Sequence, residues 1–551
     1  MQTVAQLLVK HLAAWGVTHV FGIPGKPVTP LVVEMDRQGL TFVLSKHEGG
    51  AGLAAAGYAY GGRSLGVALG TAGPGGVNML TAAGQALASN LPVLFLTGQP
   101  PIREIGKVLG QDSTMFGTDL VKMFEPVTRF SARVDRGDLL KTYLQHALEQ
   151  AFTGAKGPVH LSIPSDVLME QIPEFQLALP THYPPVLSSN LQEVSDLLDS
   201  AERPLLLLGG GVHNQGAYKE LMAFAELYNL PVITTPGGKG AFPSTHPLSV
   251  GPFGLGGTDA AHDVLAQGID VLVAVGTQLS DMETAGMGPD LFPKQVVQFD
   301  YDARFIGKSL PVPTLPVLGD LTLNLRKLVE LGSGRAAQRE LEAAAREAVA
   351  CALETAVAAA ADTGGGMLNG EQVMKLLREA LPASSQMFGD AGSHSFYAVK
   401  HFEVLEPGTF HFEEVYATMG RAIGYAIGAQ LAEPERVVVC LTGDGCMFMN
   451  GTEVSTAVNY GAPVLFVVLN NERLDMVDKG MARHLGRAIG TVYETPLNAA
   501  LFGESMGALS YRCRTAEELR EAMASALGAK RTAVIEIMVD PLEIPPTMAR
   551  G

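Results

Sequence analysis

Two polar residues near the C-terminal end of the chain follow apolar segments and could bind a metal ion. Asp444 stands between two glycines after a β-branched run, and Asn471 follows the next apolar run 27 residues later. A helical pattern over 451–460 separates the runs, so both residues are predicted at the carboxyl ends of neighbouring parallel strands, where open α/β sheets bind ligands. Carboxylate and amide oxygens are ligands that suit Mg²⁺ or Ca²⁺ together with phosphate oxygens. The spacing therefore predicts a metal and phosphate site.

The glycines beside the carboxylate support this interpretation. Gly443 and Gly445 allow the backbone to come close to phosphate groups, and the N-terminus of the following helix adds partial positive charge. The alternative is that Gly-Asp-Gly is only a turn and Asn-Asn only a cap at a strand end. The strand–loop–helix–strand spacing of the two motifs together favours the metal site.

A second candidate carboxylate, Glu48, lies in the N-terminal part of the chain. It begins a helical pattern made mostly of glycine and alanine, so its carboxylate is expected to be poorly solvated. The alternative is an ordinary surface carboxylate at a helix start. A poorly solvated carboxylate of this kind could transfer a proton in catalysis.

The elements that position these residues follow one pattern along the chain. Short apolar strands alternate with helices, which is typical of parallel α/β sheets covered on both faces. We predict an α/β fold of three doubly wound parallel-sheet domains, which fits a length of 551 residues. The expected domains cover 1–172, 190–333 and 366–551, and a helical linker is expected over 334–365.

Composition excludes several classes of function. The formal net charge of −17 argues against duplex nucleic acid or an anionic membrane surface as a partner, and no apolar run is long enough to span a membrane. Four scattered cysteines without a Cys-x-x-Cys motif argue against a disulfide framework and fit a cytoplasmic protein. With 47% hydrophobic and only 17% charged residues, the chain is expected to bury subunit contacts in an oligomer.

Taken together, the motifs resemble those of the thiamine-diphosphate-dependent 2-oxo-acid decarboxylase superfamily, and most closely the catalytic subunit of acetolactate synthase. Gly-Asp-Gly followed by Asn-Asn is the family's diphosphate motif. His47-Glu48 resembles its His-Glu segment, and 71–78 resembles its Gly-Pro-Gly-x-x-Asn loop. The segment 416–424 resembles the one that meets the aminopyrimidine, and 231–240 resembles part of the central domain. The resemblance spans almost the whole chain.

The resemblance implies thiamine diphosphate and Mg²⁺ as cofactors, with the ion held by Asp444, Asn471 and the main-chain oxygen of Arg473. It implies that Glu48 of a neighbouring subunit exchanges a proton with ring atom N1′ of the aminopyrimidine. The cofactor-binding residues that it implies are Pro24, Gly25, Thr71, Asn78, Gly392, Ser393, His394, Ala417, Met419, Gly443, Gly445, Cys446 and Met476. Among these, the carbonyl of Ala417 would receive the 4′-amino hydrogen, and Met476 would support the bent cofactor.

Three departures from the family pattern bear on the substrate and on a further cofactor. Lys26 stands where the family has a small residue beside the thiazolium, so it could hold an anionic group of the substrate during catalysis; the alternative is a lysine that points to solvent. Gly480 replaces a bulky tryptophan, so the usual preference for a second oxo acid is not carried over. The family's flavin-contacting stretch is here 276–283 and lacks both arginines, so FAD is doubtful, and binding of FAD, ADP or neither stays open.

The predicted function is decarboxylation of a pyruvate-like 2-oxo acid and transfer of the resulting carbanion to a carbonyl acceptor, as in acetolactate synthase. The first alternative is a non-ligating decarboxylase or lyase of the same superfamily that acts on another 2-oxo acid or an acyl-CoA. A flavin oxidase and a non-catalytic binding protein are further alternatives. The expected assembly is a homodimer or homotetramer with active sites between subunits, and neither nucleic acid nor membrane is an expected partner.

Overall fold

A computed structural model describes residues 1–62, 64–180, 186–333 and 367–548. These residues form three six-stranded sheets in which every strand pair is parallel. The predicted class, three parallel-sheet α/β domains, is therefore confirmed. The predicted helical linker over 334–365 lies outside the described residues.

The N-terminal sheet has the strand order β3-β2-β4-β5-β7-β6, and a short antiparallel pair, β1 with β8, joins the two ends of this domain. Its central strands are apolar without alternation because both faces are covered. The strands are β1 Gln2–Thr3, β2 His19–Gly22, β3 Thr41–Leu44, β4 Gly66–Gly70, β5 Val93–Gln99, β6 Phe130–Arg133, β7 Val159–Pro164 and β8 Gln171–Ile172. The helices are Val4–Ala14, Thr29–Gln38, Glu48–Gly62, Pro74–Val77, Leu80–Ala88, Leu120–Phe124 and Leu140–Phe152.

The central sheet has the order β11-β10-β9-β12-β13-β14. Counted from its own first strand, this is the 3-2-1-4-5-6 order of dinucleotide-binding sheets, in which the ligand crevice lies between the ends of the first and fourth strands. The strands are β9 Pro204–Leu208, β10 Val232–Thr234, β11 Ser249–Pro252, β12 Val271–Val275, β13 Gln295–Asp300 and β14 Thr314–Leu318. The helices are Leu191–Ser200, Gly211–Gln215, Tyr218–Tyr228, Asp259–Ala266 and Leu321–Gly332.

The C-terminal sheet has the order β16-β15-β17-β18-β20-β19, the same connectivity as the six-stranded N-terminal sheet. The strands are β15 Gln386–Gly389, β16 Phe410–His411, β17 Val438–Gly443, β18 Leu465–Asn470, β19 Leu509–Cys513 and β20 Ala533–Met538. The helices are Gly370–Ala380, Ser393–His401, Arg421–Ala432, Asp444–Asn450, Val454–Asn459, Asp475–Leu485, Ala499–Ser505 and Ala516–Ala529.

The N-terminal and C-terminal domains touch through two helices rich in small residues, Glu48–Gly62 and Arg421–Ala432. A Cβ atom placed on Gly57 would lie 2.2 Å from the carbonyl oxygen of Tyr425, and one on Gly428 would lie 1.9 Å from that of Ala54. The two backbones are therefore in direct contact, and glycine is required where they meet.

Within the described residues, no helix combines the length and the apolar character that a membrane span requires.

Candidate active site

The two metal-ligand candidates of the C-terminal domain lie at one edge of its sheet. Strands β17 and β18 are adjacent and parallel, with Gly443 opposite Leu469, so Asp444 and Asn471 both follow the ends of neighbouring strands. The helical pattern predicted over 451–460 forms a 3-10 turn, Gly451–Glu453, and the helix Val454–Asn459. A further helix, Asp444–Asn450, precedes it and begins at Asp444 itself. A carboxylate in the first turn is favoured there because it faces the positive end of the helix dipole.

Asp444 is buried, with 3% of its surface exposed, and it forms no ion pair with the residues that the structure describes. Its Oδ1 accepts a hydrogen bond of 2.8 Å from the backbone N–H of Gly445, whereas its Oδ2 has no partner in the described part of the chain. Burial raises the pKa of this carboxyl to about 7, although the N–H groups of Glu472 and Arg473 act in the opposite direction. A buried carboxylate oxygen without a partner is the feature that a bound cation would satisfy.

A second helix start lies beside this carboxylate. Gly392 precedes the helix Ser393–His401, whose first two residues are buried with Oγ of Ser393 and Nε2 of His394 unpartnered among the described residues. Burial lowers the pKa of His394 to about 3, so this imidazole is neutral and offers a hydrogen bond without charge. The backbone N–H groups at a helix start favour an anion such as a diphosphate.

The segment around Asp444 and the start of the helix Ser393–His401 are in contact. A Cβ on Gly443 would lie 2.8 Å from Nδ1 of His394, and Sγ of Cys446 donates a hydrogen bond of 3.2 Å to the carbonyl of Ala391. The structure therefore brings the candidate diphosphate residues of 392–394 and 443–446 together. Their orphaned polar atoms fit a charged ligand that carries both a metal ion and a diphosphate.

Asp390 is a residue of this site that the sequence motifs missed. It is fully buried; its Oδ1 accepts from the backbone N–H of Gly420 (2.9 Å), and its Oδ2 accepts from Oγ1 of Thr442 (3.0 Å). Burial raises the pKa of this carboxyl too. It connects the end of β15 to two other segments of the site. The available signal was its place directly after a strand, as for Asp444.

The segment expected to meet the aminopyrimidine contains an unusual backbone turn. Tyr416 and Ala417 both have positive φ, 63° and 48°. Such residues other than glycine cost about 1–3 kcal/mol each and concentrate at functional sites. Met419 belongs to the same site, because its Cε would lie 3.3 Å from a Cβ placed on Gly445.

Met476, Asn471 and Arg473 lie in the loop and helix after β18. Met476 is partly buried and packs against the core of the C-terminal domain, so its role beneath a cofactor stays a prediction. The guanidinium of Arg473 pairs with Asp478 at 3.3 Å. Glu472, between the two proposed metal ligands, has a positive φ of 63°.

The N-terminal candidates form a second cluster. Glu48 begins the helix Glu48–Gly62 and is only 8% exposed, so the alternative of a surface carboxylate is wrong. Its Oε2 accepts a hydrogen bond of 2.8 Å from Nδ2 of Asn78. Thr71 lies next to it, with a buried Oγ1 that has no partner in the described chain. A Cβ on Gly25 would lie 2.3 Å from that Oγ1.

Two other residues of the N-terminal loop face outward in the single chain. Pro24 and Lys26 are exposed, and Lys26 takes part in no hydrogen bond or ion pair among the described residues. The single chain therefore agrees with the alternative of a lysine that points to solvent. A role in substrate binding requires that a second copy cover this loop.

The backbone just before Glu48 is held by the C-terminal domain of the same chain. Glu453 is buried, and its Oε1 accepts from the backbone N–H groups of Lys46 and His47, at 2.9 Å each. Within the described residues, however, Glu48 itself has no hydrogen bond or ion pair with the C-terminal domain. The chain thus carries two half-sites, an N-terminal one around Glu48 and a C-terminal one around Asp444, and in the described chain Glu48 makes no bond to the second.

No group of three His, Cys, Asp or Glu side chains in the described residues could hold a metal ion alone. An ion at Asp444 would therefore take further ligands from groups such as amide or carbonyl oxygens, phosphate and water. In the central domain, a crevice at the carboxyl ends of the strands is lined by Gly211, Gly276, Asp300 and Gly319, and by Lys156 of the N-terminal domain. That FAD is doubtful there stays a prediction, and the choice among FAD, ADP and neither stays open.

Comparison with known proteins identifies the family. The chain matches three domain families in succession: the N-terminal thiamine pyrophosphate binding domain over residues 2–123, the central domain over 191–328 and the C-terminal binding domain over 390–537 of thiamine pyrophosphate enzymes. Thiamine pyrophosphate is thiamine diphosphate.

Similar proteins cover the chain almost completely. A probable acetolactate synthase large subunit of Methanocaldococcus jannaschii is 31% identical, over 99% of this chain and 93% of that protein. The putative thiamine pyrophosphate-containing protein YdaP of Bacillus subtilis is 31% identical, over 98% and 92%. The acetolactate synthase large subunit of Parasynechococcus marenigrum is 33% identical, over 86% and 77%. This chain belongs to the thiamine pyrophosphate enzymes and is acetolactate synthase-like.

Proposed function

We propose that this protein decarboxylates a pyruvate-like 2-oxo acid and transfers the resulting carbanion to a carbonyl acceptor, as a carboligase that uses thiamine diphosphate and Mg²⁺. The observation that carries the proposal is Asp444, a buried carboxylate with an unpartnered oxygen beside the 471–473 loop and the start of the helix Ser393–His401. A site of this kind suits a divalent cation and a diphosphate group.

The chain's own residues would divide the work as follows. Asp444, Asn471 and the carbonyl of Arg473 would hold the ion, and the backbone at 392–394 would bind the diphosphate. Glu48 would hold a proton at N1′ of the aminopyrimidine, and the Ala417 carbonyl would orient the 4′-amino group. When bound, thiamine diphosphate supplies the electron sink that lets a 2-oxo acid lose carbon dioxide.

The assembly would be a homodimer or homotetramer. Glu48 bonds within its own domain, and the neighbouring Pro24 and Lys26 are exposed, so a second copy is needed to place the N-terminal half-site over a C-terminal one. The three described cysteines are free and buried, which fits a reducing compartment such as the cytoplasm.

Gly480 supports a second candidate, a decarboxylase or lyase that does not ligate a second oxo acid. This position has no side chain, and a Cβ there would meet only Cε of Met548, at 3.5 Å. The bulky residue implied by the resemblance is absent, so the pocket for an acceptor differs from that of the synthases.

A panel of 2-oxo acids, incubated with Mg²⁺ and thiamine diphosphate and analysed by mass spectrometry, separates these functions. The proposal predicts acetolactate from pyruvate, whereas acetaldehyde or another aldehyde alone would favour the non-ligating enzyme. A Glu48→Gln variant should lose most turnover while it keeps its fold. The absence of any product with every oxo acid would contradict both candidates.

Lys26 has its own test within this proposal. Its ammonium group would attract an anionic substrate, so Lys26→Ala should raise KM for the oxo acid about tenfold while the affinity for thiamine diphosphate stays the same. Lys122→Ala, an exposed lysine elsewhere in the domain, is the control. Unchanged steady-state kinetics would remove Lys26 from the site.

A further inference from the structure

The turn with two positive φ values is held by a side chain from another domain. Gln85 lies on the helix Leu80–Ala88 of the N-terminal domain and is completely buried. Its Oε1 accepts a hydrogen bond of 3.0 Å from the backbone N–H of Thr418. Its Nε2 donates to Oε2 of Glu413 at 2.8 Å and approaches the carbonyl of Val415 at 3.4 Å. One amide therefore contacts both sides of the turn at Tyr416 and Ala417.

Neighbouring groups reinforce this contact. Ser89, which caps the C-terminal end of the same helix, donates its hydroxyl hydrogen to Oε2 of Glu413. The guanidinium of Arg421 lies 3.7 Å from the same carboxylate and donates to the main-chain oxygen of Glu413. On the other side, the ring of Tyr416 lies against the helix at Gly84, where a Cβ would be 2.3 Å from the Tyr416 hydroxyl oxygen.

A left-handed backbone at Tyr416 and Ala417 is unfavourable by itself and persists only where the surroundings determine it. Hydrogen bonds from the C-terminal domain itself reach the two ends of the 413–418 turn, where Arg421 donates to the main-chain oxygens of Glu413 and Thr418. Gln85 is a side chain from another domain that bonds on both sides of Tyr416 and Ala417.

We propose that Gln85 is a positioning residue, which holds the 413–418 turn in the conformation that presents the Ala417 carbonyl to the aminopyrimidine of thiamine diphosphate. Gln85 does not touch the reacting atoms itself. The N-terminal domain would thus serve two roles: Glu48 would complete the site of a second copy, while Gln85 would shape the site of its own chain. The hydrogen bonds between Gln85 and the turn do not depend on the proposed function. The effect of these bonds on cofactor binding rests on the proposed function.

The test compares Gln85→Leu with Gln430→Leu. Gln430 is a buried glutamine of the helix Arg421–Ala432 that bonds to three carbonyls of its own domain and does not contact the turn. Hydrogen–deuterium exchange of peptides over 412–420 is measured first, without cofactor. We expect exchange in Gln85→Leu to be about tenfold faster, as for the loss of a buried hydrogen bond, and unchanged in Gln430→Leu. Equal exchange in wild type and Gln85→Leu would overturn the proposal whatever the enzyme binds.

Calorimetric titration then separates the turn from the diphosphate site. With Mg²⁺ present, Gln85→Leu should bind thiamine diphosphate about tenfold more weakly and inorganic diphosphate as the wild type does. Equal weakening of both ligands would show a general structural role and overturn the assignment. If the wild type binds neither ligand, the proposed function is wrong. The hydrogen–deuterium exchange result then still decides whether Gln85 holds the 413–418 turn.

A double variant covers the case in which Gln85→Leu folds poorly. Glycine adopts positive φ without the penalty that alanine carries, so Ala417→Gly should restore part of the thiamine diphosphate affinity lost in Gln85→Leu. An equal loss in the single and double variants would contradict the proposal that the turn conformation is what Gln85 controls.

Discussion

Two buried carboxylates follow the neighbouring strands β15 and β17 and differ in their hydrogen bonds. Asp390 accepts three hydrogen bonds from Ala391, Gly420 and Thr442, so it links segments of the protein. Oδ1 of Asp444 accepts from the backbone N–H of Gly445, and its Oδ2 has no partner among the described residues. The first carboxylate therefore stabilises the fold, and the second is available for a ligand.

This difference predicts opposite effects of the same substitution. The pKa of Asp444 is raised to about 7, so ionisation destabilises the metal-free protein as pH rises from the ordinary value of 3.8 towards 7. Asp444→Asn should therefore raise the melting temperature of the metal-free protein at pH 8, while it abolishes the stabilisation by Mg²⁺ with thiamine diphosphate. Asp390→Asn should lower the melting temperature because it disrupts bonds already made. Thermal scans with and without ligands measure both, and a destabilised metal-free Asp444→Asn protein would contradict this account.

At the scale of elements, the contact between the helices Glu48–Gly62 and Arg421–Ala432 positions both half-sites. One helix begins with Glu48, and the other follows the turn at 416–417. Their separation is set by glycines, because any side chain at the crossing would meet backbone atoms of the other helix.

Gly428→Ala should therefore destabilise the protein by about 3 kcal/mol, because its Cβ would lie 1.9 Å from the Ala54 carbonyl oxygen and force the helices apart. Gly528→Ala is the matched control: this glycine is also helical, and no atom lies within 4 Å of the Cβ position. It should stabilise the protein by about 0.5–1 kcal/mol. Urea denaturation measures both, and similar midpoints for the two variants would contradict the close contact.

At the scale of the whole molecule, the central domain supports the C-terminal half-site through the loop after β10. Lys239 is buried and donates to the carbonyl of Val399 near the end of the helix Ser393–His401. Thr235 donates to Oε1 of Glu414 at 3.3 Å, next to the turn. Burial and the nearby Glu283 raise the pKa of Glu414 to about 8, and burial lowers that of Lys239 to about 7.

The raised pKa of Glu414 predicts a pH-dependent effect. The stability that its protonated form contributes is complete below the ordinary value of 4.5 and is lost as pH rises towards about 8. Glu414→Gln keeps the neutral form, so its melting temperature should exceed that of the wild type by an amount that grows from pH 5 to pH 8 and then levels off. Glu435→Gln, an exposed acid, should follow the wild-type curve. A constant difference across pH would exclude the ionisation of Glu414 as the cause.

The proposed sharing of active sites between copies predicts complementation. Glu48→Gln and Asp444→Asn should each be inactive, but in a mixed dimer one of the two sites receives an intact residue from each chain. Random re-association of equal amounts should restore roughly a quarter of wild-type activity, because about half of the dimers are mixed and each has one intact site. No recovery after verified subunit exchange would show that both residues act within one chain.

The sequence by itself determined the three parallel-sheet domains and the placement of Asp444 and Asn471 at the carboxyl ends of neighbouring strands. Both follow from local patterns: apolar runs predict buried strands, and successive parallel strands place their carboxyl ends together. The beginning of the helix at Asp444 was predicted less well, since a Gly-Asp-Gly segment is compatible with either a turn or a helix start.

Only the tertiary structure decided the burial of Glu48, the links made by Asp390 and the contact of Gln85 with a turn more than three hundred residues away in the chain. These features depend on which surfaces of separate domains meet. A sequence pattern records whether one face of an element is apolar, but a single buried glutamine or aspartate has no periodicity. Its function is defined by the partners that the fold brings to it.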